Sequence, residues 1–200
     1  IILVVAVIAG GIIVAVSKFT GGGSGVKISA QGSTYVIAVD PGHGGRDTGM
    51  SSAAIEEKEA DLNICAKLKI MLESQGYQVV MTREDNMTAI SNKERAEVAT
   101  NAGADILVRI HADGNNDTSV HGAMTMVPST NNPYVAYLHD DSYMLGEQII
   151  NAYCSQTGMK NNGVVLSDNM SGINWSTMPV TILEMGFMSN QTDDENMQDA

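Results

Sequence analysis

The chain has 200 residues, 44% of them hydrophobic and 4% aromatic, with 11 basic and 23 acidic side chains and a net charge of −12. That size and apolar content suit one packed domain and exclude general disorder, while the acidic balance excludes nucleic acid as a main partner, because phosphate binding needs clustered Lys and Arg. Two cysteines are too few for a disulfide-dense miniprotein or a Cys-rich zinc cluster, so any metal must be held by histidines and carboxylates.

Residues 1–16 (IILVVAVIAGGIIVAV) carry no polar or charged side chain. They read as an N-terminal hydrophobic helix, close to the minimum of about 17 apolar residues that spans a bilayer core. An uncleaved membrane anchor is favoured by the length of the run. A signal-peptide core is the alternative, with small Ala15 and Ser17 suiting cleavage after Ser17. A buried core helix is the weaker reading, since no face is polar. The anchor or signal core occupies residues 1–19, and a flexible linker containing TGGGSG occupies 20–34. The folded domain is expected over 35–200.

Within that domain, strand-like and helix-like segments alternate. Residues 35–40 (YVIAVD) form a short apolar run closed by Pro-Gly, which predicts a buried strand. Residues 59–75 place Leu62, Cys65, Leu68, Met71 and Leu72 at helical spacing, with Gly76 as the stop. A second strand is expected over 77–82. Ser91 followed by Glu94 predicts a capping box opening a helix to Asn101. Strands follow over 105–111 and 121–127, a helix over 142–157 ended by Gly158, and a last strand over 180–187 (VTILEMGF). Helices between buried strands imply a largely parallel sheet covered on both faces.

In open α/β sheets, ligands bind outside the carboxyl ends of the strands. His43 lies just past the first strand of the domain in DPGHGG, and His111 ends the third in RIHAD. Glu184 lies inside the last strand, in ILEMG. A carboxylate in an apolar strand costs several kcal/mol unless it is paired, protonated or beside a metal. The alternative for Glu184 is the solvent face of an edge strand, shared with Val180 and Ile182. For His43 it is a glycine-rich turn, and for His111 a hydrogen-bonded strand end. Two histidines and a carboxylate can hold Zn²⁺ and leave a fourth position open. Glu56, Glu57 and Glu59 all stand near the start of the first helix, and composition does not choose among them.

Five motifs occur in order between about residues 36 and 190: DPGHGG, EEKEADLNI, TRED, SNKERAEVATNAGADILVRIHAD and MPVTILEMGFMSN. Together they resemble the zinc-dependent N-acetylmuramoyl-L-alanine amidases of the amidase-3 type, bacterial cell-wall hydrolases. The resemblance implies Zn²⁺ held by His43, Glu57 and His111, because the family's glutamate precedes a Lys and an acidic residue, here Lys58 and Glu59. It also implies Glu184 as the catalytic carboxylate that activates the zinc-bound water. The implied fold is a single α/β domain, a twisted and mostly parallel central sheet flanked by helices. The implied substrate is peptidoglycan, cut between the lactyl group of N-acetylmuramic acid and L-Ala of the stem peptide. The implied place of action is extracytoplasmic, with the membrane as partner if residues 1–16 are retained. A catalytically inactive wall-binding or regulatory domain is the competing function, and a monomer is the expected state.

The family continues through one more helix after GFMSN, so the resemblance implies that this helix is missing. Residues 129–141 are the one place for a short insertion over the site. His121 and His139 read as surface or loop residues, Cys65 and Cys154 as buried free thiols, and Trp175 as either groove or packing. Arg109 stands where relatives often carry a small polar residue.

Overall fold

The computed structural model describes residues 2–8, 11–17 and 35–198. In chain order these form β1 (Ile2–Ile8), β2 (Gly11–Ser17), β3 (Val36–Pro41), α1 (Glu57–Ser74), β4 (Gln78–Met81), α2 (Asn92–Asn101), β5 (Ile106–Asp113), β6 (Ala123–Val127), α3 (His139–Thr157), β7 (Asn161–Leu166), α4 (Ser171–Asn174), β8 (Val180–Phe187) and α5 (Gln191–Gln198). A single 3₁₀ turn, Ala136–Leu138, leads into α3.

The central sheet has six strands in the order β4-β3-β5-β8-β6-β7. Every pairing is parallel except that of β6 with β8, so the sheet is mixed and mostly parallel, as expected. Its strands are apolar on both faces because both are covered. Ile37, Val39, Val108, Ile110, Leu183 and Met185 face Cys65, Leu68 and Leu72 of α1 and Leu145, Ile149 and Ile150 of α3. The alternate residues Ala38, Leu107, Val180 and Ile182 face the other way, onto Ala99 of α2, Ile173 of α4 and Leu138. The period of two thus splits one continuous apolar strand between two cores.

Local signals place the helices. Ser91 and Glu94 form the reciprocal capping box expected at the start of α2. Gly158 ends α3 with φ 73°, a left-handed cap that a Cβ would disfavour.

Two expectations are corrected. The segment read as a hydrophobic helix is extended where it is described: β1 pairs antiparallel with β2, from Ile2 opposite Ser17 to Ile8 opposite Gly11. Its many Val and Ile residues favour extended backbone over helix. No helix among the described residues is long and apolar enough to cross a membrane. Beyond GFMSN, where no helix was expected, α5 follows and buries Asp193 and Met197. Asp193 caps the turn before it, accepting from the Phe187 and Gly122 N–H groups at 3.0 and 2.7 Å. Strand β7 was not foreseen, since NNGVVL is a partly exposed edge with no sustained apolar pattern. The expected linker over 20–34 lies outside the described residues.

Candidate metal centre

Strands β3 and β5 run side by side with Pro41 opposite Ile110, so their carboxyl ends open at the same level. The Gly42 N–H donates to Ile110 O at 2.9 Å and ties the loop after β3 to β5. A Cβ at Gly42 would collide with the His111 ring and the Asp61 carboxylate, so glycine allows the close approach. His43 follows with φ 56°, the one described non-glycine residue in the left-handed region. Its carbonyl accepts from Arg95, which holds this unfavourable backbone in place.

Glu57 opens α1 and is 2% exposed. Its Oε2 accepts from the Met50 N–H at 2.7 Å, and its Oε1 from the Ala112 N–H at 3.1 Å. The same Oε1 lies 2.8 Å from His43 Nε2 and 3.1 Å from His111 Nδ1, and those two nitrogens are 3.2 Å apart. The rings meet edge to face with centroids 4.9 Å apart. Asp47 Oδ2 lies 2.9 Å from the other His43 nitrogen, Nδ1, and fixes that ring's orientation. The neighbouring Glu56 points elsewhere, pairing with Lys58 at 3.0 Å while 45% exposed.

Burial opposes ionisation of Glu57, yet hydrogen bonds from His111, His43 and the Met50 N–H outweigh it and hold its carboxyl at about 2. For His43, burial is likewise overcome, here by Glu57 and Asp47, and the ring binds its proton more tightly than usual. His111 is pushed the other way, since burial dominates.

Glu184 sits on β8 opposite His111 of β5 on one side and Met124 of β6 on the other. Strand β8 is interior to the sheet and all eight of its residues are buried, which overturns the edge-strand alternative. The Glu184 Oε2 has no hydrogen-bond partner among the described residues. Burial, then the nearby carboxylates of Asp113 and Glu57, push its pKa up to about 8.

His43, Glu57, Asp61 and His111 each offer one donor atom, all within 4.8 Å of one another. Asp61 is fully buried, and neither of its carboxylate oxygens has a hydrogen-bond partner among the described residues. Burial and the carboxylates of Glu57 and Glu184 drive its pKa well above the usual range. Two nitrogens and several carboxylate oxygens, with buried acceptors left unsatisfied, fit a divalent cation such as Zn²⁺.

The chain matches the Amidase_3 family, described as N-acetylmuramoyl-L-alanine amidase, over residues 37–200. It belongs to that amidase family. It is 32% identical to the N-acetylmuramoyl-L-alanine amidase LytC of Bacillus subtilis, over 82% of this chain and 32% of LytC. It is 31% identical to LytH of Staphylococcus aureus, over 86% of this chain and 54% of LytH. The chain therefore spans about a third to a half of the length of these relatives. An N-acetylmuramoyl-L-alanine amidase from Clostridium difficile 630 superposes with a TM-score of 0.74 at 31% identity, covering 82% of this chain and 86% of that one. The CwlD amidase from Clostridioides difficile, solved with the GerS lipoprotein, gives 0.72 at 26% identity, covering 82% and 88%.

The amidase-like site also contains residues that the motifs did not flag. Asp40 is wholly buried and accepts from Arg95 Nη1 at 2.7 Å, from Arg109 Nε at 2.6 Å and from Thr82 Oγ1. That accounts for Arg109: it neutralises Asp40 beneath the centre and donates to Asn92 at 2.6 Å. An acidic residue closing an apolar strand was the available signal. Asp61 was signalled only by its position four residues after Glu57, on the same helix face. His121 and His139 stand apart, each bonded to a backbone carbonyl, Ser119 O and Pro128 O respectively. Cys65 and Cys154 are free and buried. Trp175 is 51% exposed, with the Lys93 ammonium 5.3 Å from its ring centre.

Proposed function

We propose that this chain carries the catalytic domain of a peptidoglycan hydrolase that cuts the amide between the lactyl group of N-acetylmuramic acid and L-Ala of the stem peptide. Family membership supports the reaction class. One observation in this molecule carries the mechanism: donor atoms of His43, Glu57 and His111 converge, and Glu184, whose buried Oε2 has no hydrogen-bond partner among the described residues, stands beside His111 on the next strand. His43, Glu57 and His111 are the metal ligands in this reading, and Glu184 is the catalytic residue.

A bound Zn²⁺ would supply a Lewis acid for the amide carbonyl and lower the pKa of a water to about 7. The chain's own groups do the rest. Glu57, kept ionised by its hydrogen bonds, brings negative charge to the two imidazoles. Asp47 holds His43 by Nδ1, which leaves Nε2 turned toward Glu57 and His111. Glu184 takes the proton of the attacking water and returns it to the departing L-Ala amine. Its buried position beside other carboxylates raises its hold on a proton, which suits a group that must accept and release one near neutrality. Peptidoglycan lies outside the cytoplasmic membrane, so we place the domain, residues 35–200, there. The uninterrupted apolar composition of residues 1–16 suits delivery to that side.

Digestion of purified peptidoglycan by the chain, with Zn²⁺ or with excess chelator, tests the proposal. Mass spectrometry should find free stem peptides beginning with L-Ala in the zinc sample only. Intact peptidoglycan after incubation with folded, zinc-loaded protein would overturn it in favour of the wall-binding alternative.

A further inference from the structure

Among the described residues, Asp61 is the least explained charged one. It lies on α1 one turn after Glu57, so both carboxylates leave the same helix face toward the carboxyl ends of β3 and β5. It is 0% exposed, and no described residue hydrogen-bonds either oxygen. A carboxyl group buried in this way costs several kcal/mol unless something compensates it.

Among the described residues no cation hydrogen-bonds it, and the charge of Arg83 offsets its burial only in part. Arg83 donates Nε to Pro41 O, Nη1 to Asp85 O and Asn86 Oδ1, and Nη2 to Gly42 O and Lys58 O. All five of its N–H groups are thereby engaged elsewhere. Arg95 and Arg109 are both committed to Asp40. Asp61 is left with a donor oxygen within 4.8 Å of those of His43, Glu57 and His111. A Cβ built on Gly42 meets the His111 ring and Asp61 Oδ2 together, so carboxylate and imidazole sit on the same side of that glycine.

We infer that Asp61 is a fourth protein donor to the metal, making the centre a two-histidine, two-carboxylate site in which the attacking water would be a fifth ligand. The inference rests on the metal-centre reading above and adds to it. Two carboxylates balance the charge of a divalent ion, and the additional oxygen donor makes the set harder than two histidines and one glutamate. Asp61 thereby acquires a directly bound counter-charge, beyond the attraction of Arg83, which acts without a hydrogen bond.

The test is zinc affinity, read by competition with a chromophoric chelator, in the full chain and its Asp61→Asn variant. The variant should bind Zn²⁺ about 10- to 100-fold more weakly. Its thermal midpoint in excess chelator should equal or exceed that of the parent, because Asn removes a buried charge and no described residue hydrogen-bonds the carboxyl. Equal zinc affinity in a folded Asp61→Asn chain would overturn the inference while leaving the three-ligand centre standing. A fall in the chelator midpoint with unchanged affinity would also overturn it, by assigning Asp61 a purely structural role. Should the Asn variant not fold, Asp61→Ser in the same assay decides between the same outcomes. If the parent chain itself binds no Zn²⁺, the metal-centre reading fails and this inference with it.

Discussion

Glu184 is a carboxylate in the middle of a sheet, with buried neighbours on its own strand and paired strands on both sides. Stability alone would place an apolar residue there, because an unpaired buried acid is destabilising. Its proton-binding tendency and its place beside His111 give the position a chemical use. Glu184→Gln keeps the shape and removes the proton shuttle proposed for it. Its kcat on peptidoglycan should fall by about 10² to 10⁴, with zinc content unchanged by atomic absorption. Loss of zinc in that variant would instead make Glu184 a ligand. The ligand register is tested by a matched pair. Glu57→Ala removes the oxygen shared by both histidines and should abolish stoichiometric zinc, whereas Glu56→Ala touches only an exposed pair with Lys58 and should leave it intact.

At the scale of elements, the site is held by contacts between segments far apart in sequence. Asp40 at the end of β3 joins Arg95 of α2, Arg109 of β5 and Thr82 after β4. The short helix α4 completes this arrangement from the opposite core: a Cβ on Gly172 would run into the Arg109 guanidinium. Gly172→Ala should therefore destabilise the fold by about 1–3 kcal/mol, the usual cost of overfilling a packed site, and a denaturant midpoint measures it. A midpoint equal to that of the parent would mean that Arg109 can withdraw without loss of its bond to Asp40. Arg109 occupies a buried strand position where sequence alone offered no reason for a guanidinium; the reason is Asp40, one strand away.

For the whole molecule, buried carboxylates make stability depend on pH in two opposite senses. Burial disfavours the charge on Asp40, but Arg109 and Arg95 outweigh it and lower its pKa. Its contribution is complete above the unfolded value of about 3.9 and is lost as pH falls below that. Glu184 and Asp61 have raised values and contribute most when protonated, so stability falls as pH rises from about 4.5 toward the Glu184 value of about 8. His111, whose pKa is lowered, opposes this in the middle of the range. In excess chelator the thermal midpoint should thus peak in mildly acidic solution and decline toward pH 8; a midpoint rising throughout would contradict it. At pH 8, Zn²⁺ at a hundredfold excess over its Kd should restore about 2.7 kcal/mol, seen as a higher midpoint than with chelator.

The sequence by itself determined the alternation of strands and helices and the capping box at Ser91, and it carries the motifs on which His43, Glu57, His111 and Glu184 are proposed as site residues. These are local signals: apolar period, turn residues, and short spacings that one segment carries alone. It did not determine the extended backbone over Ile2–Ile8 and Gly11–Ser17, the edge strand β7 or the helix α5, where apolar patterning was continuous, weak or cut short. Only the tertiary structure decided that β8 is interior, and so that Glu184 is buried beside His111. It alone showed that Arg109 answers Asp40 and that Asp61 has no hydrogen-bond partner among the described residues. A charge's meaning depends on what lies within a few ångströms of it, and in a mostly parallel sheet those neighbours come from strands dozens of residues away.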